Sequence, residues 1–447
     1  MKKALSLLLV LIMVFSASLP FTAGAVDING DNGMFDVSVP IEADAYMLVS
    51  LDNGNVLAQK NKDKKKYPAS LTKIVTTMVT IENVENLDAQ ATVSQHAVDV
   101  LEGTGAQVAG LQAGDTVSFR KLLSLTMVYS ACDACQVLAE AVGGNEAAFV
   151  KMMNDWAKKV GCKATNFANP DGLHEDNHYT TAADMLLITL AALKNDTFSE
   201  IAGETTCSYG GTTFYHTNYL LNPSESAYYY QYASGIKTGT TTQAGNCVIT
   251  KAQKGTKNYL AIILDSPMIN DMKGSFVDAK ALFEWGFNDL EDRELFDTSA
   301  AIGNIAVLYG KKCDSLELGA KEEIVCTVPV DVKAEDIKVE PVKMPKSIEA
   351  PIKKGDEICK ANITYKGQII AKTSLVASKD VKFSLLLKIG AVIKQGFNNS
   401  PAGNIICLIV LLVIIVLIIR IIHVKKVKKK RTLERERRRQ KMREERY

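Results

Sequence analysis

Pro68-Ala69-Ser70-Leu71-Thr72-Lys73 is the stretch on which the reading of this chain turns. It follows a charged run, Lys60 to Lys66, and precedes Ile74, Val75, Met78 and Val79, whose three- and four-residue spacing predicts a helix with one buried face. Pro68 halts the loop, so Ser70 stands where that helix begins, and Lys73, three positions on, shares its face. A serine hydroxyl is a poor nucleophile until a base takes its proton, and a lysine serves as that base once its pKa falls from about 10.4. Burial and a second nearby cation both push it that way. By itself the spacing is common: Ser118 with Lys121, and Ser234 with Lys237, repeat it in the same chain.

Two further strings give the first one meaning. Ser130-Ala131-Cys132 lies on a turn between two helical patterns, Leu122 to Val128 and Gln136 to Val142, and offers a second hydroxyl to carry a proton to a leaving amine. Lys237-Thr238-Gly239 lies in a strand pattern and offers a positive charge, a hydroxyl, and a glycine that lets a substrate backbone come close. Lys237 is also the candidate second cation beside Lys73. Cys132-x-x-Cys135 allows a redox pair or half a zinc site, but no second CxxC follows and its surroundings are helical. No metal and no cofactor is expected.

Working outward, Tyr46 to Val49, an Asp52-Asn53-Gly54 turn and Val56 to Ala58 predict a hairpin. The segment from Ala89 to Phe149 is mostly helical in pattern. Strand patterns return at Ile236 to Thr240, Cys247 to Thr250 and Tyr259 to Leu264, and Phe276 to Phe287 predicts a closing helix. Strands, helices, strands and a helix in that order make an α/β (α+β) domain, an antiparallel sheet flanked by helices. Residues 298–382 shift to short Val/Ile runs broken by charged turns, the pattern of a small all-β domain.

The ends carry their own signals. Lys2 and Lys3, the apolar run Ala4 to Phe15 and Ala23-Gly24-Ala25 mark residues 1–25 as a secretory signal peptide. Ile405 to Ile422 is apolar except at Arg420 and runs into Lys425, Lys426, Lys428, Lys429, Lys430 and Arg431, which predicts a transmembrane helix over 404–423 after a linker at 383–403. Residues 424–447 then form a basic cytoplasmic tail, with 13 Lys/Arg against 4 Glu from residue 425 onward. The whole 447-residue chain carries only +2, so with the tail, Arg420, Lys2 and Lys3 set aside the remainder is at −10. That remainder is no nucleic-acid-binding surface. The expected arrangement is a single-pass membrane protein with an extracellular body, of the kind suited to a Gram-positive-type envelope.

Taken together, Pro68 to Lys73, Tyr129-Ser130-Ala131-Cys132-Asp133-Ala134, Asn169-Pro170-Asp171-Gly172-Leu173, the Thr180 to Asp184 run and Gly235-Ile236-Lys237-Thr238-Gly239 resemble the serine D-alanyl-D-alanine carboxypeptidases among the low-molecular-mass penicillin-binding proteins. Ala350-Pro351-Ile352-Lys353-Lys354-Gly355 resembles that family's C-terminal domain. The resemblance implies a β-lactamase/penicillin-binding-protein-like, transpeptidase-like catalytic domain over 26–292, with a peptidoglycan stem pentapeptide as substrate and β-lactams as inhibitors. It also implies roles: Ser70 as acyl-ester nucleophile, Lys73 as general base, Ser130 as proton relay, Lys237 and Thr238 as carboxylate binders beside Gly239. Backbone N–H groups of Ser70 and Thr240 would form the oxyanion hole. Cys132 occupies a substrate-contact position where the family's usual residue is asparagine, and a thiol is a weak donor and a weak acceptor. That departure leaves a non-catalytic β-lactam- or wall-binding sensor as an alternative. A β-lactamase-type hydrolase is another, although Ala164 to Pro170 holds no acidic residue to drive deacylation.

Overall fold

The computed structural model describes residues 35–399 and 401–444. The expected signal peptide, 1–25, lies outside the described residues. The chain divides into two units, one running through Arg293 and taking in Thr327–Ala334, the other made of Glu294–Cys326 and Glu335 onward.

The sheet of the first unit is built from strands β1 (Ala45–Ser50), β2 (Val56–Lys60), β3 (Ala233–Thr241), β4 (Gly245–Lys254) and β5 (Lys257–Ser266), in the order β2-β1-β5-β4-β3 and antiparallel throughout. Every residue of β1 is buried, as is the run Tyr259-Leu260-Ala261-Ile262-Ile263-Leu264 of β5. A continuous apolar run of that kind marks strands covered on both faces. Helix α1 (Gly274–Asp289) is the helix predicted at Phe276 to Phe287, and it packs on β4 and β5. Its fully buried Phe283 stacks with Tyr230 at 6.1 Å and with Phe287 at 6.3 Å. Gly286 lets Tyr259 lie against the helix, since a Cβ there would meet the ring at 2.9 Å.

The other face of the sheet meets a helical lobe, in which the helix Ala182–Ala192 packs on β1 and β5. At its centre lies the helix Lys73–Asn83, whose first eight residues are all buried. The sequence predicts one buried face there. The structure encloses the helix on every side through Thr80, because Cys132–Gly143, Glu146–Lys159 and Ala182–Ala192 all pack around it. Cys132–Gly143 also starts four positions ahead of the predicted Gln136, and Gln90–Thr92 pairs with Thr116–Ser118 inside the stretch expected to be mostly helical.

The second unit holds a six-stranded sheet of β6 (Gly303–Leu308), β7 (Ser315–Ala320), β8 (Ile337–Val342), β9 (Ser347–Glu349), β10 (Glu357–Tyr365) and β11 (Gln368–Ala377). Its order is β8-β10-β11-β7-β6-β9, antiparallel except for the parallel β6–β9 pair. Within the expected linker, α2 (Leu385–Asn399) is helical, with Leu385, Ile389 and Val392 at helical spacing. Helix α3 (Pro401–Glu444) follows, and its Leu408–Glu436 stretch is long and apolar enough to cross a membrane.

Phe283→Ala removes the ring on which the α1 contact rests. The expected cost is about 3–5 kcal/mol of stability in the first unit, read by urea unfolding followed through the aromatic signal.

Candidate active site

Ser70 sits in a tight turn, Ala69–Thr72, immediately before the helix Lys73–Asn83. Two glycines press on that turn. A Cβ on Gly172, at φ +85°, would lie 2.0 Å from the Ala69 carbonyl oxygen, and one on Gly239 would lie 2.8 Å from the Pro68 oxygen. The loop Asn169–Leu173 and strand β3 therefore hold the turn from two sides through bare backbone. Ala69 takes a left-handed conformation, φ +47°, and a buried relay braces it. Thr72 Oγ1 donates to Ala69 O at 2.8 Å and accepts from His178 Nε2 at 2.8 Å, while His178 Nδ1 accepts the Ala168 N–H at 3.2 Å.

Ser70, Ser130, Cys132, Thr238, Gly239 and Thr240 line one cavity of about 1150 Å³. Lys73 and Lys237 are fully buried. Lys73 Nζ donates to Ser70 Oγ at 3.0 Å, to Cys132 Sγ at 3.4 Å and to Asp171 O at 2.6 Å. Lys237 Nζ donates to Thr238 O at 3.0 Å, and the Thr238 hydroxyl pairs with that of Thr217 at 2.6 Å. Ser130 adopts a left-handed turn, φ 69°, between the wound segment Leu125–Tyr129 and the helix Cys132–Gly143. Strand β3 is the outermost strand of its sheet, and its Thr238, Gly239 and Thr240 line this cavity.

Electrostatics depart from the sequence expectation at both lysines. Burial acts most strongly on Lys73 and pulls downward, but Cys132, Cys135 and Asp171 outweigh it, and the ammonium is held above its ordinary value. On Lys237 the same two thiols pull upward but are outweighed. Burial first, then the charge of Lys73, presses it well below its ordinary value. Burial also pushes the Cys132 and Cys135 thiols up. His178 is lowered to about 4 and His216 to about 3, chiefly by burial.

Sequence reasoning missed several of these groups. Asp171 stands inside the Asn169 to Leu173 string, one position past Ala164 to Pro170, the stretch that holds no acid. Gln107 has no sequence signal at all: its carbonyl accepts the Cys132 N–H at 2.7 Å, and its side chain donates to Tyr129 O. Asp133 fixes the same loop by accepting the N–H groups of Ala109, Gly110 and Leu111 at 3.0, 2.9 and 3.0 Å. Among the described residues, no group of three or more His, Cys, Asp or Glu side chains is arranged to hold a metal ion.

Comparison with known proteins decides the family. The D-alanyl-D-alanine carboxypeptidase family model matches residues 34–268, more than half of the chain. The chain belongs to that family. A model of the penicillin-binding protein 5 C-terminal domain matches residues 290–382. The carboxypeptidase DacF of Bacillus subtilis is 29% identical over 389 residues, covering 86% of this chain and 95% of that protein. Penicillin binding protein 5 from Haemophilus influenzae aligns with a TM-score of 0.59 at 28% identity, over 78% of this chain and all of that one. A Streptomyces DD-transpeptidase aligns at 0.51 and 29% identity, over 56% of this chain and 98% of that one. The protein is thus a serine hydrolase of the D-alanyl-D-alanine carboxypeptidase type, with the fold of penicillin-binding protein 5.

The buried relay makes the site acid-sensitive. Unfolded, His178 takes up a proton near its ordinary 6.5, whereas folded it stays neutral to about 4. Stability is therefore complete above 6.5 and is lost as pH falls toward 4, by up to about 3 kcal/mol. In His178→Asn, the loss of urea stability between pH 7 and pH 4 should shrink by that amount.

Proposed function

We propose that this carboxypeptidase removes the terminal D-alanine of peptidoglycan stem pentapeptides through an acyl-enzyme on Ser70, working from a membrane anchor. The observation that carries the reading is the Lys73 amine at 3.0 Å from Ser70 Oγ, with its other two contacts on Cys132 and Asp171. As an ammonium it has three N–H groups for three acceptors. As a neutral amine it keeps two donors and turns its lone pair to the Ser70 hydroxyl. Both protonation states fit one geometry.

In the proposed reaction a stem peptide lies along the open edge of β3, with its terminal carboxylate at Lys237 and Thr238. Lys237 needs an anion to hold its proton in so buried a place, and the carboxylate supplies one. A charged Lys237 then repels the proton on Lys73 and favours the free base. Lys73 takes the Ser70 proton, and Oγ bonds to the carbonyl carbon between the two D-alanines. The Ser70 and Thr240 N–H groups hold the oxyanion. As the C–N bond breaks, Ser130 gives its proton to the departing D-alanine and takes back the one held on Lys73, and water then cleaves the ester, its proton restoring the Ser70 hydroxyl. A β-lactam would enter the same route and stall at the ester. Helix α3 would cross the membrane with its basic end in the cytoplasm and the catalytic unit outside, the all-β domain acting as a spacer.

The test is D-alanine release from a stem pentapeptide by the full chain in detergent. Ser70→Ala should lower release by at least about a thousandfold, and a variant that keeps its rate would overturn the reading. Cys132→Asn should raise release, because an amide donates and accepts where the thiol does both weakly. An unchanged or lower rate would show that the thiol is no handicap.

A further inference from the structure

Asp171 is almost fully buried, at 1% exposure, and no step above uses its carboxylate. Its main-chain oxygen takes the shortest of the Lys73 contacts, 2.6 Å. The carboxylate is fixed on both oxygens: Oδ1 accepts the Leu173 N–H at 2.9 Å and Oδ2 accepts Gln136 Nε2 at 3.1 Å. Gln136 lies on the helix that presents Cys132, one turn further along. Both donors are neutral, and a buried carboxylate held only by neutral donors calls for a nearby cation.

The groups around Lys73 narrow the pairing. Cys132 and Cys135 face it from the helix Cys132–Gly143, Lys237 from β3, His178 from the segment before Ala182–Ala192, and Asp171 from its loop. Burial pushes both thiols up and keeps them protonated at neutral pH, so their share in raising Lys73 belongs to the alkaline range where they ionise; His178 is neutral, and Lys237 can only add positive charge. Glu146 is raised first by burial and then by Asp171 as a like charge. Asp171 is the negative charge left to face Lys73.

We propose that the Asp171 carboxylate, held by Gln136 and the Leu173 N–H, is a positioning residue that acts as the fixed counter-charge of Lys73 and sets how readily Lys73 takes the Ser70 proton. It rests on the reading of Lys73 as the base for Ser70. The charge favours the ammonium, so it holds the free enzyme in its protonated form until substrate binds. Removing the charge makes the neutral amine available at lower pH.

The experiment is the pH profile of Ser70 acylation by a fluorescent penicillin, measured on the full chain in detergent. Asp171→Asn and Asp171→Ser both remove the charge and keep an acceptor for the Leu173 N–H. In either variant the acid limb should move to lower pH by about one unit, with the high-pH plateau within about threefold of the parent. On the acid limb that shift is up to about a tenfold faster reaction. A limb that stays in place or moves to higher pH, or a lowered plateau without a shift, would overturn the proposal. Failure of the underlying reading looks different: the parent chain itself would not label, or would label in Ser70→Ala.

Discussion

The Lys73 amine ties the site together. It lies fully buried among Ser70 Oγ, Cys132 Sγ and Asp171 O, acceptors supplied by three separate parts of the fold. Burying a cation is costly unless every N–H finds a partner. Each of the three contacts therefore requires its own support: the turn before Lys73–Asn83, the helix Cys132–Gly143, and the loop Asn169–Leu173. The glycines that let that loop and β3 press on the turn, Gly172 and Gly239, belong to the same requirement.

Much of this was legible in the sequence. The hairpin, the three later strands and the closing helix lie where apolar runs and turn residues put them, because the sheet is covered on both faces. The three strings also converge: five of their residues, with the neighbouring Thr240, line one cavity, and Lys73 and Lys237 lie buried. Serine-lysine spacing alone does not find them, since two other pairs share it. Their separation into a turn, a helix start and an edge strand does.

What the sequence hid depends on distance in the chain. Asp171 reaches Lys73 across 98 positions, and Gln107 reaches Cys132 through a loop with no periodic signal. The protonation order of the two lysines was hidden for the same reason. Residue types suggest that Lys237 lowers Lys73, whereas in the folded chain Cys132, Cys135 and Asp171 outweigh burial at Lys73, and at Lys237 burial and the charge of Lys73 outweigh the same two thiols. In the proposed reaction a substrate carboxylate at Lys237 would enter that charge balance and so link binding there to base strength at Lys73.

The central claim is that Ser70 is the residue that bonds to substrate. Peptide mapping by mass spectrometry of the full chain after treatment with benzylpenicillin tests it most directly. The account predicts one adduct per chain, on the peptide holding Ser70. An adduct on Cys132, Ser130 or elsewhere, or none at all, would contradict it.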